Sequence, residues 1–220
     1  MALLMLVTVF VGFARTYYLA GVFHAPLPSW IIHVHGAAFS CWILLLITQV
    51  SLVSAGRVDI HRRLGVAGFV LACLMVVLGV MAATDSLVRG APVGRDAKFF
   101  YIIPLSNILV FAVVIFFAFR ARSNPAAHKR LVLIASTALM VAAIARWPWA
   151  MVHRRTPVAE LVSYSFLLML VAYDLWSTRK LHRGALWAIV FLIFVEQIAP
   201  PIGKTVAWHD FAGWVQSLAG

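Results

Sequence analysis

The chain has 220 residues, of which 64% are hydrophobic and 11% charged, and its mean hydropathy is +0.98. Those values exclude an ordinary soluble globular domain and point to an integral membrane protein. Eighteen Lys and Arg against seven Asp and Glu give a net charge of +11. The basic residues cluster in short turns between apolar runs, so membrane lipids and topology account for them and nucleic acid is not expected as a partner.

A spanning helix needs about 20 mostly apolar residues. On that basis the expected spans are 1–20, 30–54, 64–84, 101–119, 131–150, 158–177 and 184–203, followed by an interfacial tail at 204–220. The expected fold is one all-α domain, an integral membrane bundle of six to seven transmembrane helices. Met1 opens an apolar run with no basic segment before it, which reads as a first spanning helix rather than a removed signal peptide. Arg15 interrupts that helix, and FHAPLPSW (23–30) then reads as a turn at the membrane surface.

The second span places His35, Phe39, Trp42, Leu46 and Gln49 on one stripe, at steps of four and three. A lipid-facing helix has no use for a histidine and a glutamine, so this stripe is expected to face the bundle. Gly65, Gly68 and Ala72 give the third span a small-residue face for close helix contact. Cys41 and Cys73 both fall in apolar spans, which gives no disulfide framework.

Three turns, 56–63, 120–130 and 177–184, hold ten of the eighteen Lys and Arg. The positive-inside rule puts these turns in the cytoplasm, with the N-terminus inside and the C-terminus outside. Each carries a histidine beside basic residues: His61 with Arg62 and Arg63, His128 with Lys129 and Arg130, and His182 with Arg183. Helix N-termini flanked by cations favour anions, so these residues are candidates for lipid phosphates or haem propionates. Asp174 is expected to pair with Arg130 or Arg179. In the tail, Trp208, Phe211, Trp214 and Val215 fall near one helical face, suited to lying along the outer surface.

Counting 1.5 Å per residue puts His33 and His35 within about 8 Å of the start of span two, Arg146 about 23 Å along span five and Glu196 about 18 Å along span seven. All four then sit in the outer half of the membrane. One reading is a buried pocket in which His33 or His35 holds a transition metal or haem b, while Gln49, Arg146 and Glu196 hold an anion or relay protons. The plainer reading is an Arg146–Glu196 ion pair fastening two helices. His33 and His35 can share a metal only if this segment is extended, because residues two apart point to opposite sides of a helix. Gly36 would let a macrocycle approach the backbone. His153 is the expected second outer ligand, and His61 with His128 is the natural pair if the site is cytoplasmic.

Five stretches carry a resemblance: FHAPLPSWIIHVHG, the Gln49 helix, GRVDIHRRLG, the HKRL turn at 128–131, and AIARWP at 143–148. Through them the chain resembles a group of uncharacterised bacterial multi-pass membrane proteins. In overall plan it is also similar to haem proteins of the cytochrome b561 type, though those carry their histidines within helices and several here are expected in turns. The resemblance implies a bacterial inner-membrane protein and, through the looser likeness, a haem. No hydrolase triad, phosphate-binding loop or di-iron motif is present in the sequence. The leading expectation is a haem- or metal-binding redox component. The alternatives are a non-catalytic accessory subunit or assembly factor of a larger membrane complex, or a transporter or lipid-handling protein.

Overall fold

In the computed structural model, residues 1–25, 29–90, 94–153 and 155–219 are described, and among them there is no strand. The central part of the expected 23–30 turn lies outside the described residues. α1 (Ala2–Phe13) runs into a π-helical turn at Ala14–Tyr18, and α2 (Trp30–Ser54), α3 (Val58–Val88) and α4 (Ala97–Arg120) follow. After these come α5 (Pro125–Ala138), the short α6 (Met140–Ile144), α7 (Thr156–Thr178), α8 (Arg183–Gly203) and α9 (Val206–Ala219). Counting α5 and α6 as a single span, six segments are long and apolar enough to cross a membrane, and the chain is a multi-pass helical bundle. Large side chains such as Val70, Leu74, Leu161 and Leu168 stand exposed on its flanks, as lipid-facing positions do.

Several helices start or stop away from the expected limits. α3 begins at Val58 and α5 at Pro125, each six residues before the apolar run that betrays it. Arg62, Arg63, Lys129 and Arg130 therefore belong to helices rather than to turns. The fifth span also ends early. Its last helical residue is Ile144, so Arg146 lies beyond the helix end and not deep along it.

Glycine sets the close helix contacts. A Cβ on Gly68 would come within 2.9 Å of Leu45 on α2, and one on Gly79 within 2.7 Å of Ile108 on α4. A Cβ on Gly12 of α1 would collide with the backbone carbonyl of Ala143 on α6. The expected α2 stripe does face the bundle: Trp42 and Leu46 are buried, and the Trp42 indole donates to the Ser136 hydroxyl at 3.2 Å while its ring meets Phe111 edge-on.

Within the fifth span, Ser136 and Thr137 turn their hydroxyls back onto the carbonyls of Val132 and Leu133, four residues earlier. Such back-bonding bends helices. Leu139 then takes a tighter bond to Ser136, three residues back, and the helix resumes as α6.

The three basic turns lie at one end of the bundle, referred to below as the basic end. His61 and His128 meet across the first two turns, and Arg130 reaches Asp174 beside the third. At the opposite end the tail forms α9, which docks across α3 and α4. Its docking face is Trp208, Ala212 and Val215, whereas Phe211 and Trp214 point outward. The expected grouping of all four large side chains on one face is therefore split by the packing. The Trp208 indole donates to the Lys98 carbonyl at 2.8 Å, and Gln216 reaches the Leu87 carbonyl at 3.2 Å. Trp208→Phe removes one of these bonds, worth about 1 kcal/mol. Trypsin should then cut after Lys204 faster than in the parent protein, and an unchanged rate would show that apolar contacts alone hold α9.

Candidate functional site

At the basic end, two helices present a histidine at the same position. Arg57 caps α3 and Asn124 caps α5, and the backbone N–H groups of His61 and His128 bond to those cap carbonyls at 3.1 and 2.9 Å. Each histidine is thus the fourth residue of its helix. Asn124 also accepts from the Ala127 N–H, and Pro125 presets the first helical turn. The two imidazoles meet in a T-shaped arrangement, with ring centres 6.3 Å apart and planes at 79°.

Their surroundings differ in a useful way. His128 Nδ1 lies 2.8 Å from the Ala118 carbonyl of α4, which can only accept, so Nδ1 carries the proton and Nε2 keeps its lone pair. His61 lies against the Gln49 backbone carbonyl of α2, yet its Nδ1 is buried and makes no hydrogen bond. The Gln49 side-chain oxygen is also buried and unbonded. An unmet buried polar atom typically costs about 1–3 kcal/mol. Four helices therefore converge on a small polar site whose acceptors are not used up by the protein.

The third basic histidine is not equivalent. His182 is itself the cap of α8, and its ring accepts from the Gly184 N–H at 3.2 Å. Arg62, Arg63, Lys129 and Arg183 are exposed at this end, with Lys129 over the Tyr173 ring at 5.7 Å. Arg130 is withdrawn from any lipid or phosphate role. It is buried and holds Asp174 with Nε and Nη2 at 2.6–2.9 Å, and the His182 backbone N–H bears on the same carboxylate.

At the other end, Arg146 comes within charge reach of His35, but the expected residues do not otherwise assemble into one pocket. α2 is helical from Trp30, so His33 and His35 point to opposite sides and cannot share a metal. His33 is exposed beside Tyr17, whose hydroxyl donates to the His33 carbonyl at 3.1 Å. The open side of Gly36 is filled by the Tyr17 ring, which a Cβ would meet at 2.8 Å, so this glycine makes room for a tyrosine and not for a macrocycle. His35 stacks on Phe39 at 4.1 Å and faces the Leu78 carbonyl, with Nδ1 buried and unbonded. His153 bonds within its own loop, to the Trp147 carbonyl at 3.2 Å.

The Arg146–Glu196 pair does not form. Arg146 is exposed, donates to the Ala142 carbonyl and stands over the Phe13 ring at 4.8 Å. Glu196 is 1% exposed on α8, and it is reached by the Tyr164 hydroxyl and by the charge of Glu160, both of α7. Glu160 and Tyr164 lie outside the expected site. The signal for them was an acid inside an apolar segment with a tyrosine one turn on, VAELVSY.

Among the described residues no three His, Cys, Asp or Glu side chains converge on a point. No protein-family model matches the chain, and neither a curated protein nor a solved structure is significantly similar to it.

Proposed function

We propose that this protein is a haem-binding redox component of a bacterial inner membrane, in which His61 and His128 would hold the haem and the basic end lies in the cytoplasm. The observation that carries the reading is the pair itself: two imidazoles from separate helices, with centres 6.3 Å apart. One iron bonded to both at about 2.0 Å per bond sets imidazole centres roughly 6 Å apart. Haem iron takes four ligands from its macrocycle, so two protein ligands suffice, and a convergence of three or four side chains is not needed.

Bound haem would supply one-electron transfer between the ferric and ferrous states. The protein's part is binding and orientation. The Ala118 carbonyl fixes the tautomer and ring direction of His128, and the Gln49 backbone carbonyl lies against His61, whose Nδ1 stays unbonded. Arg62 and Lys129, each next in sequence to one of the two histidines, offer cations to carboxylate groups at the membrane face. The concentration of ten basic residues in the turns of this end supports a cytoplasmic orientation. His35, 26 residues before His61 at the opposite end of the α2–α3 hairpin, has no such partner.

The test is the absorption spectrum of protein purified in mild detergent from haem-replete cells. A Soret band is expected, lost or converted to a single-histidine form in His61→Ala and in His128→Ala, and kept in His35→Ala. Loss in His35→Ala with retention in His61→Ala would move the site to the other end. A colourless protein that takes up no added haemin would discard the reading. Co-purification of such a colourless protein with other membrane subunits would favour the accessory-subunit alternative.

A further inference from the structure

Far from the histidine pair, the structure holds acid inside the bundle with no base to answer it. Glu196 is 1% exposed, and its carboxylate oxygens make no hydrogen bond of good geometry, with the Tyr164 hydroxyl the side-chain group that bears on them. Glu160 is 6% exposed and acts on Glu196 across the α7–α8 seam. Their depths match. Glu160 stands about 6 Å along α7 from its start and Glu196 about 10 Å back along α8 from its end, at the same end of two antiparallel helices. Tyr164, one turn after Glu160 on the same face, turns its hydroxyl toward Glu196 and receives the Gln197 side-chain N–H at 3.2 Å. Gln197 is exposed, so the cluster reaches the flank of the bundle.

Among the described residues neither carboxylate makes an ion pair, although Arg155 caps α7 and Arg95 donates to the Thr156 hydroxyl at 3.3 Å, one turn before Glu160. α8 packs on α4 and α5 and touches α9. The buried polar residues of α4 and α5 other than Arg130 are Ser106, Asn107, Ser136 and Thr137, none of which titrates in this range. Arg130 is bound to Asp174 at the basic end. Lys98 points at Gly213 of α9, and His209 of α9 stands 3.5 Å from Asp96.

The backbone adds to the acceptor surplus. Pro200 and Pro201 lie inside α8 and have no N–H, so the carbonyls of Glu196 and Gln197 lack the donors a helix would supply four residues on. Glu160 and Tyr164 lie one turn apart on α7, Glu196 and Gln197 lie with the two freed carbonyls on α8, and the Gln197–Tyr164 hydrogen bond joins the two groups. Donor sets made only of oxygen select hard cations. Discontinuous helices in membranes use freed carbonyls in this way.

We propose that Glu160, Tyr164, Glu196 and Gln197 form an exchangeable cation site within the membrane, taking a proton or a small hard metal ion through oxygen ligands. It stands independently of the haem reading. A permanently neutral, inert carboxyl would give the same packing without exchange, and that is the alternative the test must exclude.

Infrared difference spectra of the purified full chain separate these cases, since a protonated carboxyl has its own C=O stretch. The expected result is a carboxyl band, absent from Glu196→Gln, that disappears on exposure to alkaline buffer or on addition of sodium or calcium chloride. Loss on metal addition at constant pH assigns a metal ion, and loss with pH while metals are silent assigns a proton. Tyr164→Phe keeps both carboxyls and should shift the midpoint of the same titration, which guards against a folding defect in Glu196→Gln. Proposal and site both fall if the spectra show no Glu196-dependent band that responds to pH or to metal over the range in which the protein stays folded.

Discussion

Asp174→Leu should lower the stability of this protein by about 3–5 kcal/mol, the usual cost of stripping one partner from a buried ion pair. Arg130 and Asp174 are both nearly inaccessible, and the guanidinium holds the carboxylate with two nitrogens. The pair joins α5 to α7, and the His182 backbone brings in the start of α8. Removing the carboxylate leaves a cation inside the bundle with only the Ala126 carbonyl for company. The double change Arg130→Met with Asp174→Leu should recover much of the loss, because neither charge then remains buried. Unfolding midpoints of the three variants in one detergent check this. If the double variant is no better than Asp174→Leu, the pair is fastening the helices by more than its mutual neutralisation.

Gly12→Val should cost about 1–3 kcal/mol through overpacking, with the larger figure favoured because the obstacle is backbone. Any Cβ at this position runs into the Ala143 carbonyl, and a carbonyl within a helix cannot swing aside as a side-chain tip can. α1 is also held by the Trp147 indole, which donates to the Thr8 carbonyl at 3.3 Å. The variant should therefore unfold at lower temperature and leave Trp147 more open to a water-soluble quencher. Unchanged quenching would mean that α1 keeps its seat by tilting.

Composition and the count of apolar runs made the helical bundle legible, and the stripe through Trp42 and Leu46 was readable from spacing alone. Helix limits were less so. Arg62, Arg63, Lys129 and Arg130 lower local hydropathy, so an apolar window starts six residues after the helix does. That error hid the fact that His61 and His128 share a position in their helices. Depth counting failed for Arg146 for a different reason: it assumes an unbroken helix, and this one stops at Ile144. The neighbours of Glu196 were out of reach, because nothing local encodes which face of α7 meets α8. Asp174 had Arg130 and Arg179 as equal candidates in sequence, and burial chose the one already inside the bundle.

The interruption at Leu139 divides the fifth span into two mechanical parts. The longer part is braced against α4, α7 and α8 and carries His128 and Arg130, while the shorter part grips α1 and α7. A straight helix would act as a rod, so that any tilt imposed at one membrane face would appear at the other. A jointed one absorbs the tilt. Strain applied to α1 by surrounding lipid or by a neighbouring protein should therefore reach His128 less directly than it would along an unbroken helix.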